Sequence, residues 1–366
     1  MTFNNTFKDR RVLVTGHTGF KGGWLALWLL ELGADVVGYA LEPDTEPSLF
    51  RTLEMEKDIE HHIGDVRDYN AVQRVVETFR PEIVFHLAAQ PLVRRSYRLP
   101  KETFDINIGG TVNVLEAIRH IGCVRSCVVI TTDKVYKNQE WVWGYREIDP
   151  MGGSDPYSAS KGAAEIVIGS YIRSFFGEKN CQTCCASVRA GNVIGGGDYA
   201  EDRILPDAVR AMLNGTTLGV RNPASTRPWQ FVLEPLSGYL ALAQKQLEDP
   251  EHFSGAWNFG PRPDDVQTVE QIVKSFYNIL GRGNYEDLSS RQAAELNESR
   301  MLTLCCDKAN HQLKWTPVYS ILEAVRRTAK WYEAVLLDQR NAREICVEEI
   351  RTFVEMAAKM GSLWAK

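Results

Sequence analysis

Three short stretches of the sequence bring together residue types that can do chemistry in company. In "VLVTGHTGFKGGW", Gly16, Gly19 and Gly22 recur as G-x-x-G-x-x-G between the first strand pattern and the first helix pattern. Glycines there allow a tight turn, let the backbone approach a pyrophosphate, and aim helix N–H groups at its charge. Alone the motif is weak, but its place at the first βα crossing makes dinucleotide binding a better reading than a plain turn. In "YSASK", the phenol of Tyr157 and the ammonium of Lys161 stand four residues apart, on one face of a helix. An ammonium near the phenol, with the cation of an oxidised nicotinamide also close, favours the phenolate and lowers the tyrosine pKa from ~10 toward neutrality. Such a pair is common on helices and takes its meaning from the glycine loop. In "ITTDKVY", the hydroxyl of Thr132, the carboxylate of Asp133 and the amine of Lys134 follow one another where an apolar run stops. That triplet is either a solvated turn with a casual ion pair or a set of groups placed to move protons, and local pattern does not decide.

The elements that must position these groups are legible in the first half. "RRVLVTG", "ADVVGYAL", "IEHHIGDVRD", "PEIVFHLAAQ", "RSCVVITTD" and "CQTCCASVRAGNV" read as strands, separated by helical patterns such as "GFKGGWLALWLLELG", "YNAVQRVVETFR", "TFDINIGGTVNVLEAIRHIG" and "DPYSASKGAAEIVIGSYIRSFFG". Short strands alternating with helices mean βαβ units and a parallel sheet covered on both faces. The expected fold is α/β, a doubly wound parallel (Rossmann) sheet with a smaller C-terminal substrate-binding domain. After Asn192 the rhythm changes to long segments rich in Gly, Pro and charge, set between helices. Irregular stretches of that length in a compact protein are usually functional or disordered. The spacing therefore predicts a dinucleotide-binding domain over 1–190, to which later segments can return, and a second domain with C-terminal helices over 191–366 that closes over the carboxyl edge of the sheet. The last helical pattern, "NAREICVEEIRTFVEMAAKM", is expected to pack on the surface or on a second subunit.

Composition narrows the function classes. The 366 residues carry 42 Lys+Arg against 47 Asp+Glu, a formal net charge of −5, which favours neither nucleic acid nor an anionic membrane. No apolar run approaches the ~20 residues of a spanning helix, and "MTFNNTFKDRR" lacks the apolar core of a signal peptide, so a cytoplasmic protein is expected. The eight cysteines include a C-x-x-C in "CQTCC", but no second pair or His lies at metal-ligand spacing, so they are read as structural thiols and no metal is expected. Asp65 ends the third strand, where carboxyl ends line the crevice, and is the candidate adenine contact; Glu42 and Asp44 lie a little beyond strand two. With no basic residue beside strand two to meet a 2′-phosphate, NAD is expected rather than NADP.

In this order, "TGHTGFKG", "DVRD", "FHLAAQ", "TTDKVY", "YSASK" and "RAGNVIGGGD" resemble the extended short-chain dehydrogenase/reductase family across most of the chain. "YALEPDTEPSLF" and "RPWQ" bring the resemblance closer to its 4,6-dehydratases of a CDP-linked hexose than to its epimerases. The resemblance implies NAD held by Gly16, Thr18, Gly19, Phe20, Lys21 and Gly22, by Asp65 and Val66, by Leu87, Ala88, Ala89 and Asn107, and by Tyr157 and Lys161. It also implies a cycle in which C4 is oxidised while Tyr157 removes the O4 proton, the 4-keto group acidifies C5, water is lost across C5 and C6, and hydride returns to C6. Thr132 would bond O4 and help Tyr157, and Asp133, protonated, would donate to the departing C6 hydroxyl. Lys134 falls where many sugar-nucleotide dehydratases carry a Glu base for C5. An amine can act as that base only if its pKa falls from ~10.4 toward ~7–8, and otherwise it would hold the enolate oxygen electrostatically.

For the substrate diphosphate, Asn192 and Arg227 are implied by the resemblance, and Arg203 suits it by its bidentate geometry. Trp229 is open between stacking on the base and covering core. Arg94, Ser96 and Gln90, which follow strand four, are candidates for contact with the hexose. The resemblance further implies 3,6-dideoxyhexose synthesis for surface polysaccharide, and a homodimer or homotetramer built on the helices of "TFDINIGG…" and "YSASK…". A 4-epimerase and a non-catalytic NAD-binding module are the competing readings.

Overall fold

The computed structural model describes residues 2–178, 181–290 and 302–366. Seven strands form one sheet: β1 Arg11–Thr15, β2 Asp35–Ala40, β3 Glu60–Ile63, β4 Ile83–His86, β5 Ser126–Ile130, β6 Cys184–Ala190 and β7 Gly255–Phe259. Their order is β7-β6-β5-β4-β1-β2-β3, and every neighbouring pair is parallel. The longer helices are α1 Phe20–Glu31, α2 Tyr69–Phe79, α3 Thr111–Ile121, α4 Pro156–Tyr171, α5 Ile204–Leu213, α6 Leu233–Glu248, α7 Val269–Leu280, α8 Ile321–Tyr332 and α9 Ala342–Lys359. Because the chain reverses direction across the sheet between β1 and β4, loops on either side diverge there and leave a crevice at the carboxyl ends.

Both faces of the sheet are dry except at the edge strand β3, which is why the other strands read as continuous apolar runs rather than as alternating ones. Val12, Val14, Val128 and Val188 join one core with Trp24, Trp28, Leu236 and Trp257. Leu13, Val37, Val84 and Val129 join the other with Leu115, Ile118 and Ile168. The segment Gly255–Phe259 returns to the sheet as β7 beside β6, pairing Trp257 with Val188. The long C-terminal helix is occupied within its own chain: Phe353 of α9 meets the Trp28 ring of α1 at 5.9 Å, and Trp364 stacks on Phe3 at 5.0 Å.

One predicted helix is interrupted. The stretch expected to run through "TFDINIGGTVNVLEAIRHIG" is a short helix Pro100–Phe104, a wide π-helical segment Asp105–Gly110, and then α3. Gly110 packs there against Val66, whose Cγ2 would lie 2.6 Å from a Cβ at that position. Such insertions are over-represented at functional sites, and this one places the Asn107 side chain under the crevice.

Candidate active site

The glycine loop leaves β1 as expected. Gly16 has φ +78 and packs so closely on the β4 loop that a Cβ would lie 2.7 Å from Ala88 N; a Cβ on Gly22 would lie 2.1 Å from Gly16 O. These contacts draw the first turn of α1 against the end of β1. Gly19 caps α1 without a side chain, so its first N–H groups have no side-chain cap, the arrangement that suits a pyrophosphate. The residues present therefore fit a dinucleotide. Thr18 spends its hydroxyl on Leu41 O (2.9 Å), and Phe20 packs on the core. Lys21, at the start of α1, is brought down to about 8 by burial first, with the charges of Arg203 and Lys161 adding to it and Asp133 opposing.

Along the rest of the crevice, the Asp65 carboxylate is taken by Arg67, bonded through backbone N, Nε and Nη2. Val66 is buried beneath it, its carbonyl bonded by Asn113. Leu87 packs on the core, Ala88 N donates to Thr15 Oγ1 (3.2 Å), and Ala89 is half-buried. Asn107 is wholly employed in support: its Nδ2 reaches Gln90 O (3.1 Å) and Ser160 Oγ (2.8 Å), and its Oδ1 accepts from Gln90 N.

At the end of β5 the "ITTDKVY" stretch is largely buried and is not a solvated turn. Thr132 and Asp133 are buried, and Thr132 Oγ1 donates to Asp133 Oδ1 (2.9 Å). Burial raises the Asp133 carboxyl above the ordinary range, against the opposing influence of Lys134, Thr132 and the Arg227 charge. A buried carboxyl so shifted is suited to donate a proton. Lys134 is half-buried, and its ammonium makes no hydrogen bond or ion pair among the described residues.

Helix α4 carries Tyr157 and Lys161 to the same place. Asp155 caps it through Ser158 N (3.0 Å), and Pro156 occupies its first turn. Lys161 Nζ donates to Ile130 O (3.2 Å), and the Thr132 side chain lies close enough to the Tyr157 phenol to favour its ionised form. The expected lowering of the phenol does not come from the protein alone. Burial pushes Tyr157 up to about 12, outweighing the influence of Thr132, while Lys161, itself lowered to about 8 by burial, turns its ammonium toward a carbonyl. A cation placed beside the ring must supply the opposing influence.

Residues from the second half are brought in selectively. Arg227 lies within electrostatic reach of Asp133, and Arg203 of Tyr157 and Lys21, with Arg203 anchored on Asp198 at 2.8 Å. Asn192 is half-buried at the end of β6, its carbonyl accepting from Gln230 N (3.0 Å). Arg94 is at the rim, paired to Asp202 at 3.2 Å, with Arg221 3.8 Å from the same carboxylate oxygen. Three of the expected substrate contacts are engaged within the protein itself. Ser96 is fully buried; its Oγ donates to Val93 O (2.6 Å) and accepts from Tyr157 N (3.1 Å), so it fixes the start of α4. Gln90 commits its amide to Thr103 Oγ1 and Leu92 N. Trp229 is 3% exposed and packs within the core, as the packing reading expects.

Two features escaped sequence reasoning. His17, inside the glycine loop, is buried against Phe50 and His61, with Nε2 2.7 Å from His61 Nδ1, and burial lowers it to about 3. Its partner lies on β3, so no local signal announces it. Glu165, one helical turn beyond Lys161, forms an ion pair with Arg189 at 2.8 Å in which both side chains are almost inaccessible (3% and 2%). The repeat of the Tyr157/Lys161 spacing is the signal that could have found it. All eight cysteines are free, and among the described residues no group of three His, Cys, Asp or Glu could hold a metal ion. No helix among them is long and apolar enough to cross a membrane.

The chain is similar to known proteins in sequence and in fold. The family model described as GDP-mannose 4,6 dehydratase matches residues 13–328. A CDP-glucose 4,6-dehydratase of Salmonella typhimurium is 50% identical, covering 91% of this chain and 93% of its own length. A dTDP-glucose 4,6-dehydratase of Haemophilus influenzae is 25% identical over 88% of this chain and 97% of its own. In fold, the chain is similar to the dTDP-glucose 4,6-dehydratase DesIV of Streptomyces venezuelae, solved with NAD and TYD bound, at TM-score 0.76 and 22% identity over 88% and 97% of the two chains. By the family match, and by half-identity to a dehydratase along nearly its whole length, the chain belongs to the GDP-mannose 4,6 dehydratase family, within the extended short-chain dehydrogenase/reductases its motifs resemble.

Proposed function

We propose that the protein is an NAD-dependent nucleotide-sugar 4,6-dehydratase that converts CDP-D-glucose to CDP-4-keto-6-deoxy-D-glucose. The observation that carries the reading is the buried Asp133 carboxyl, raised by burial and bonded to Thr132 beside Tyr157. A 4-epimerase has no use for an acid at C6, whereas elimination of the C6 hydroxyl requires one. Half-identity to a CDP-glucose 4,6-dehydratase supports the choice of nucleotide.

When bound, NAD supplies a hydride acceptor for C4 and a hydride donor for C6, and its cationic ring favours the phenolate. The loop of Gly16, Gly19 and Gly22 with the first turn of α1 would hold its pyrophosphate, and Asp65 would turn from Arg67 to the adenosine. Tyr157 takes the O4 proton as C4 is oxidised, and Thr132 holds O4. Lys134 then serves C5, as base or as the cation that steadies the enolate oxygen. Asp133 gives its proton to the departing C6 hydroxyl, so water leaves and a conjugated enone remains, which accepts hydride at C6 and a proton at C5. Arg203, Arg227 and Asn192 face the diphosphate. Lys161 orients the helix end that carries Tyr157. Residues 1–190 with β7 form the cofactor half in this reading, and most of 191–366 the nucleotide-sugar half.

Place and assembly follow from the same reading: a cytoplasmic enzyme that feeds 3,6-dideoxyhexose synthesis for surface polysaccharide. The exposed Ile166 of α4 (61%), Phe175 (38%) and Phe104 (36%) give α3, α4 and their extensions an uncovered apolar face, which a second copy would cover. Incubation with NAD and, separately, CDP-, dTDP-, GDP- and UDP-glucose, followed by detection of the 4-keto chromophore in base, tests the function. The chromophore is expected with CDP-glucose; its appearance only with another nucleotide, or with none, overturns the assignment.

A further inference from the structure

Helix α4 grips the end of β5 at successive turns. Tyr157 meets Thr132, Lys161 Nζ holds Ile130 O at 3.2 Å, and one turn further Glu165 Oε1 accepts the Thr131 hydroxyl at 2.5 Å. Glu165 has no lone pair to spare. Oε1 also accepts from Arg189 Nε (3.0 Å), and Oε2 accepts from Arg189 Nη2 (2.8 Å) and Ser187 Oγ (2.7 Å). Four bonds satisfy what a carboxylate can accept, and a bidentate guanidinium fixes its plane. Arg189 is anchored in turn: Nη1 donates to Tyr136 OH (2.7 Å) and Glu147 O (3.1 Å), its guanidinium lies 4.9 Å from the Tyr136 ring centre, and Tyr136 OH donates to Asn258 Oδ1 (2.8 Å). The network thus ties α4, β6 and β7 to both flanks of the reactive triplet, at Thr131 and at Tyr136. None of its members is in the proton-handling set of the mechanism.

We propose that Glu165 is a positioning residue: its carboxylate, fixed by Arg189, holds the Thr131 hydroxyl and thereby sets Thr132 and Asp133 against Tyr157. The inference rests on the reading of this site as a dehydratase. A purely structural ion pair would need Arg189 alone. The additional bond to Thr131, one residue from Thr132, gives the pair a geometric hold on the groups that must meet O4 and C6. Displacements of about 1 Å at reacting groups cost on the order of 100-fold in rate, so loss of this hold acts on turnover before it acts on binding.

Glu165→Gln leaves a buried guanidinium imperfectly paired and is prone to misfold; Thr131→Val, nearly equal in shape, keeps the ion pair and is the decisive variant. Thr131→Val is expected to lower kcat for CDP-glucose about 10- to 100-fold, with KM within about twofold and the thermal midpoint within about 3 °C. Thr131→Ser, which keeps the hydroxyl, is expected to restore kcat. Hydrogen exchange of the peptide spanning residues 130–136 should quicken in Thr131→Val and not in Thr131→Ser, while that of α1 stays unchanged. Wild-type kcat in Thr131→Val, a KM rise that accounts for the loss, or unaltered exchange at 130–136 overturns the proposal. If wild-type protein is inert toward nucleotide sugars, the dehydratase reading fails, and the exchange comparison still decides whether the clamp exists.

Discussion

In the proposed cycle Asp133 is the residue on which the chemistry turns: burial raises its carboxyl, which favours the form that can donate, and Thr132 Oγ1 donates to its Oδ1. Asp133→Asn is expected to cut formation of the 6-deoxy product by about 100-fold or more, with reduced-cofactor absorbance still appearing on mixing with substrate. Tyr157→Phe should abolish that absorbance as well, and Lys134→Met should slow exchange of the C5 proton with solvent more than oxidation at C4. Full product formation by Asp133→Asn would mean the acid is elsewhere. At this scale the sequence was informative where a side chain's role follows from local spacing. Tyr157 and Lys161 share a helix face, and the Thr132–Lys134 triplet sits at a strand end. It was uninformative where orientation depends on distant packing: nothing near Ser96 reveals that its hydroxyl caps Tyr157 N, and nothing near Trp229 shows that the indole enters the core rather than the crevice.

At the scale of elements, α4 has two faces with different tasks. The inner one carries Tyr157, Lys161 and Glu165 to the end of β5, and the outer one shows Ile166 to solvent. A charge at position 166 leaves the inner contacts untouched and opposes coverage of the outer face. Ile166→Glu is therefore expected to weaken self-association at least about tenfold, read by sedimentation velocity over a dilution series, and an unchanged oligomer would place the interface elsewhere. Strands and helices were legible because parallel strands buried on both faces give unbroken β-branched runs. The π-helical interruption at Asp105–Gly110 was not legible, since it depends on Gly110 meeting Val66 and on Asn107 bonding Gln90 and Ser160, contacts made across the fold.

For the whole molecule, the reversal of strand order places the glycine loop, the β5 end and α4 around one crevice, and the segments after β6 supply Arg203 and Arg227 to the same space. The return of Gly255–Phe259 to the sheet means that this second half is threaded through the first rather than appended to it. In the proposed cycle a crevice assembled in this way keeps one sugar in place while it is oxidised, dehydrated and reduced, and the return of hydride to C6 rather than to C4 separates a 4,6-dehydratase from an epimerase. The most direct measurement of it follows one hydrogen: CDP-glucose labelled with deuterium at C4 is turned over with unlabelled NAD, and the product is examined by NMR. Hydride return within one bound sugar places the deuterium at C6 of the 4-keto-6-deoxy product; deuterium retained at C4, or lost to solvent with C6 unlabelled, rules that cycle out.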